Sequence, residues 1–68
     1  MKGLTEREAS YVEFIRVFWE KNGYAPSQNE VAANFAVIKE TARAAINSCI
    51  TKGALKMEFG KPRTLRLT

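Results

Sequence analysis

The sequence predicts an α+β chain that is mainly α, with three helices followed by a C-terminal two-stranded β-hairpin. Three observations predict it. Thr5 with Glu8 and Ser27 with Glu30 are helix-start signatures, in which a hydroxyl caps the third helical N–H and a glutamate reaches back to the cap. A third apolar pattern of helical period runs up to Gly53. Beyond it, apolar and polar residues alternate around a Gly60-Lys61-Pro62 turn.

Each element follows from its residues. The first helix begins at Thr5 and stops at Asn22-Gly23, and about 100° per residue places Tyr11, Val12, Phe14, Ile15, Phe18 and Trp19 on one face, opposite Glu13, Arg16 and Glu20. That face is broader than a one-sided helix needs. Either the small core uses every aromatic, or part of the face meets a partner. The second helix spans residues 27–35, preceded by Pro26, with Val31, Ala32 and Phe35 as its buried edge. Ala36-Val37-Ile38 is the turn, with Val37 plugging the angle between helices. The third helix runs from about Lys39 to Lys52, burying Ala42, Ala45, Ile46, Cys49 and Ile50, while Glu40, Arg43, Ala44, Asn47, Ser48 and Thr51 face away. Leu55, Met57 and Phe59, then Leu65 and Leu67, form the apolar side of two strands. A short helix, a tight turn, a second helix and a hairpin make a three-helix winged helix-turn-helix with the hairpin as its wing.

Sixty-eight residues allow one domain, residues 1–68, with a small core. The chain is 46% hydrophobic, with one tryptophan, two tyrosines and four phenylalanines, which is too apolar for a disordered tail. Histidine is lacking and Cys49 is the single cysteine, which excludes a Cys/His zinc site and an intrachain disulfide. A reducing, cytoplasmic location is expected, because the N-terminus lacks the apolar run of a signal peptide and no stretch is long enough to span a membrane. No nucleophile, base or glycine-rich phosphate loop suggests catalysis, and Cys49 reads as a packing thiol. Neither an enzyme nor a cofactor is expected.

The net charge of +4 is unevenly placed. Residues 1–34 carry Lys2, Arg7, Arg16 and Lys21 against Glu6, Glu8, Glu13, Glu20 and Glu30. Residues 35–68 carry Lys39, Arg43, Lys52, Lys56, Lys61, Arg63 and Arg66 against only Glu40 and Glu58. The positive field therefore belongs to the third helix and the hairpin, where a phosphate backbone would lie.

A helix in the major groove reads bases through side chains that present two hydrogen-bonding groups at once. Arg43 and Asn47, one turn apart, suit guanine and adenine; short Ala44 lets the helix sit deep or touch a thymine methyl. Glu40 either accepts from cytosine N4 or repels phosphate. Ser27, Gln28 and Asn29 at the start of the second helix suit phosphate contacts, as do Lys61, Arg63 and Arg66 in the wing. The competing readings are a solvated helix face and a hairpin whose cations merely discourage edge pairing.

The segment LTEREASYVEFIRVFWEKNGYAPSQNEVAANF resembles the N-terminal DNA-binding domain of the LexA repressor family, through L-T-x-R, the aromatic-aliphatic helix, G-x-x-P-S and x-x-E-V-A. The similarity continues through A-x-x-x-I, K-G-x-L and R-x-L-R-L, covering nearly the whole chain. It implies sequence-specific duplex binding through Lys39, Glu40, Thr41, Arg43 and Ala44 at the front of the recognition helix. Where the family has a turn glycine this chain has Ala36, and where it has a polar cap this chain has Val37-Ile38, so a reshaped, shorter turn is expected.

The family's C-terminal self-cleaving and dimerising domain is not expected after the wing, so self-cleavage is not inferred. The resulting expectation is a small, nucleoid-associated regulator of phage or mobile-element type. It would dimerise through the aromatic face of the first helix or through the hairpin edge. The alternatives are a winged-helix protein-interaction module and a non-specific nucleoid binder.

Overall fold

Thr5 starts the fold as its sequence context demands. Its Oγ1 accepts from the Glu8 N–H at 3.1 Å, and Glu8 Oε1 accepts from the Thr5 N–H at 3.0 Å. The computed structural model describes residues 3–58, 60–61 and 63–68. Helix α1 spans Glu6–Asn22, α2 Gln28–Phe35 and α3 Lys39–Thr51; β1 (Leu55–Lys56) and β2 (Arg66–Leu67) follow. This is the three-helix winged helix-turn-helix that the sequence predicts.

Glycine is required at the end of α1. Gly23 adopts φ 75° and donates its N–H to the Trp19 carbonyl at 2.8 Å, a left-handed stop that an L-residue enters at a cost. The second capping box is also complete, Ser27 Oγ accepting from the Glu30 N–H at 3.1 Å and Glu30 Oε1 from the Ser27 N–H at 2.8 Å.

The turn between α2 and α3 departs from expectation. It is not reshaped by the missing glycine: Ala36 itself takes φ 55°, ψ 42°. The Ala36 N–H donates to Ala33 O at 3.3 Å and the Val37 N–H to Ala32 O at 3.1 Å, the paired bonds of a Schellman motif. Val37 packs half-buried against the core, as its plugging role predicts. Ile38 then occupies the N-cap of α3 with no side-chain bond to the helix, and 67% of its surface is exposed.

The core gathers Tyr11, Val12 and Ile15 of α1, Val31 and Ala32 of α2, Ala42, Ile46 and Cys49 of α3, and Leu55 and Leu65 from the wing. Ala25, Ala42 and Ala54 are fully buried and let neighbouring backbones approach. The Tyr11 ring stacks on Phe35 at 4.1 Å between centroids and 3° between planes, and Phe14 meets Phe35 edge-on at 5.8 Å. Phe18 meets Tyr24 edge-on at 5.6 Å, and Trp19 Nε1 donates to Leu65 O at 2.9 Å. The broad aromatic face of α1 is thus largely engaged within the chain.

Ser48, expected to face away, is half-buried and donates through Oγ to the Glu8 carboxylate. It stands at the margin of the buried stripe of α3, where the start of α1 passes. Lys52 Nζ donates to Glu8 from the other side at 2.7 Å.

The wing is shorter in regular structure than the alternation suggests. Among the described residues its antiparallel register pairs Leu55 with Leu67 and Lys56 with Arg66. Thr64 takes over beyond that point. Its hydroxyl accepts from the Glu58 N–H at 2.9 Å and lies 3.1 Å from the carbonyls of Glu58 and Lys61, one of which takes its proton. The chain turns there with Gly60 at φ 84° and Arg63 at φ 55°. The expected inward side of Phe59 and the place of Pro62 in the tip lie outside the described residues. Among the described residues no helix is long and apolar enough to cross a membrane.

Candidate nucleic-acid interface

The start of α2, the outer face of α3 and the wing tip converge on one open cleft of about 560 Å³. Ser27, Gln28 and Asn29 enter it from α2, Lys39, Arg43 and Asn47 from α3, and Lys61 and Arg63 from the wing. Lys39, Arg43 and Asn47 are spaced four residues apart, so at roughly 1.5 Å per residue they form a row about 12 Å long on one helix face. A single exposed helix with such a row has the dimensions to enter a major groove.

The eight residues do not have equal freedom. The Ser27 hydroxyl is occupied as the α2 cap. Gln28 Nε2 lies 3.6 Å from the Met57 sulfur, tying α2 to the wing. Asn29, Lys39, Arg43, Asn47 and Lys61 are exposed. Arg63 is tied down: Nη1 donates to Glu30 Oε1 at 2.8 Å and to Ala25 O at 3.1 Å, and its guanidinium lies 5.1 Å from the Tyr24 ring centroid. The Arg63 hydrogen bond, helped by the Ser27 N–H, holds the Glu30 carboxyl below the usual carboxylate range; the same pairing raises Arg63 further above its ordinary value.

The remaining sequence candidates lie elsewhere. Glu40 and Ala44 are exposed on α3 and Thr41 is half-buried, but none of the three lines the cleft. Arg66 stands apart on β2, beside a second hollow of about 600 Å³ bordered by Trp19, Ile50 and Lys56. Sequence reasoning missed Met57 and Glu58, which line the cleft from the wing. It read them as alternating strand residues, whereas β1 ends at Lys56, Met57 meets Gln28 of α2, and Glu58 bonds to Thr64. Glu58 adds the wing's one acidic residue to the lining of this otherwise cationic cleft.

Cys49 is a fully buried free thiol 3.7 Å from the Glu8 carbonyl, and desolvation raises its pKa. That environment suits packing rather than reactivity.

Three helices and a hairpin, with α2, α3 and the wing lining one cation-bearing cleft, define a winged helix-turn-helix DNA-binding domain. Residues 1–64 match the family described as the LexA DNA binding domain, and the chain belongs to that family. It is 41% identical over all 68 residues to the LexA repressors of Thermotoga maritima and Thermotoga petrophila, and 40% identical to that of Thermotoga neapolitana. In each case the whole chain is matched, against 34% of the relative, so the chain spans about a third of the length of these curated relatives.

Proposed function

We propose that this chain acts in transcriptional regulation, laying α3 in the major groove of duplex DNA while the wing tip follows the neighbouring backbone. The observation that carries this reading is the shared cleft, in which the row Lys39, Arg43 and Asn47 faces the same space as the start of α2 and Lys61. Arg43 and Asn47 are assigned to base edges, with Lys39, Glu40, Thr41 and Ala44 at the front of the helix setting its depth and partner bases. Asn29, the first N–H groups of α2 and Lys61 are assigned to phosphates. A single module of this kind covers only about 600–1,000 Å² of protein surface, so tight binding calls for a dimer. The internal engagement of Phe14, Phe18 and Trp19 favours the hairpin edge over the aromatic face for that contact. Nucleoid association follows from DNA binding.

The test is selection of bound fragments from a random duplex pool, followed by a salt titration on the enriched site. Affinity should fall with a log–log slope of about −0.9 for each phosphate neutralised. Arg43→Ala should flatten the preference for the enriched site over a scrambled one. Lys61→Ala should weaken both duplexes alike and reduce the slope by about 1. Enrichment of no sequence despite salt-dependent binding would favour a non-specific nucleoid binder. Lack of any salt-dependent shift would favour a protein-interaction module.

A further inference from the structure

We infer that Arg63 is a positioning residue that latches the wing to the start of α2, so that Lys61 meets DNA only when Arg63 holds Glu30, Ala25 and Tyr24. The inference rests on the proposed DNA-binding function and assigns within it a role distinct from phosphate contact.

Three observations carry it. Arg63 Nη1 is shared between the Glu30 carboxylate and the Ala25 carbonyl, at 2.8 and 3.1 Å, and both acceptors lie at the entrance to α2. The guanidinium carbon sits over the ring of Tyr24, which is 47% exposed, at 5.1 Å from its centroid. The Arg63 backbone takes φ 55°, which an L-residue adopts only at a cost and a glycine would adopt freely. The side chain, rather than the turn, therefore calls for arginine at this place.

Glu30 belongs to both devices. Its Oε1 accepts from the Ser27 N–H and from Arg63, so the group that starts α2 also anchors the wing. A half-exposed ion pair adds little to global stability. Its effect is on where the wing tip stands relative to α3. Among the described residues regular strand pairing ends at Lys56 and Arg66, and beyond it Thr64, the Gln28–Met57 contact and Arg63 hold the tip. Lysine keeps the charge and could donate to two acceptors, but its compact ammonium offers no delocalised guanidinium to set over the Tyr24 ring while it does so.

The experiment compares wild type, Lys61→Ala, Arg63→Lys, Arg63→Gln, Tyr24→Leu and the double variant Arg63→Lys/Lys61→Ala. Each is measured for affinity to an enriched and a scrambled duplex, and for amide exchange without DNA. Arg63→Lys and Arg63→Gln should each weaken binding severalfold, matching Lys61→Ala, while the ratio between the two duplexes stays at the wild-type value because α3 is untouched. The double variant should bind no more weakly than either single variant. Exchange at the Lys61 amide should rise in Arg63→Lys and Tyr24→Leu, with amides of α3 unchanged.

Wild-type affinity in Arg63→Lys, or losses that multiply fully in the double variant, would overturn the inference in favour of a direct phosphate contact. Unchanged exchange at Lys61 overturns the latch itself. If instead Lys61→Ala binds both duplexes as wild type does, the wing contact of the proposed function fails, and the dependence of DNA binding on Arg63 fails with it.

Discussion

Glu8 and Lys52 are 44 positions apart and joined by a 2.7 Å ion pair that ties the first turn of α1 to the end of α3. The same carboxylate caps α1 and accepts from Ser48. Lys52, then Ser48, then the Thr5 N–H lower its pKa from the ordinary 4.5 to about 2. A carboxyl depressed on folding contributes stability that is fully present above its unfolded value and is lost as pH falls through its folded value. The urea midpoint of wild type should therefore exceed that of Glu8→Gln at neutral pH, with the gap narrowing below pH 4.5 and closing near pH 2. A gap that does not vary with pH would assign the effect to packing instead of charge.

Ala36 holds a conformation that glycine adopts more easily. Ala36→Gly should raise the free energy of unfolding by about 0.5–1 kcal/mol, the relief of the left-handed strain being partly offset by the greater freedom of glycine in the unfolded chain. Chemical denaturation measures it, and a destabilised glycine variant would mean that the Ala36 methyl is held by contacts stronger than the strain.

Ile38 leaves the start of α3 without a side-chain cap. Because two-thirds of the residue is exposed, Ile38→Ser loses little burial and gains a cap worth about 1 kcal/mol. A rise in the thermal midpoint of several degrees is the expected outcome. A fall would show that the exposed isoleucine contributes more packing than its position indicates.

Tyr11 is fully buried, and its hydroxyl has no hydrogen-bond partner among the described residues. Tyr11→Phe keeps the ring on Phe35 and removes the unpaired group, so stability should be unchanged or higher by up to about 1 kcal/mol. A loss larger than that in an unfolding titration would mean the hydroxyl is bonded in solution.

Local chemistry made the helices legible. Thr5/Glu8, Ser27/Glu30 and Gly23 each act within a few residues, and the caps and the stop stand where the sequence places them. The turn was harder, because whether Ala36 would yield or the turn would change depends on the packing of Val37 behind it. Alternation overstated the strands, since Thr64 provides side-chain partners where a ladder would have continued. At the cleft, residue types indicated which side chains bear charge but not which of them are already bound. Arg63 at the cleft, like Ser48 on the far side of α3, looked free, and their partners Glu30 and Glu8 lie 33 and 40 positions away. Contacts at that separation carry no periodic signal.

The bond from Trp19 Nε1 to Leu65 O spans 46 positions and bolts the wing to α1 just before β2. Trp19 is also the only tryptophan in the chain. The protein thus carries its own optical gauge at the joint between helix and wing: indole emission reports the seating of β2 without any attached label, and separates loosening of the hairpin from melting of the helices, which circular dichroism follows.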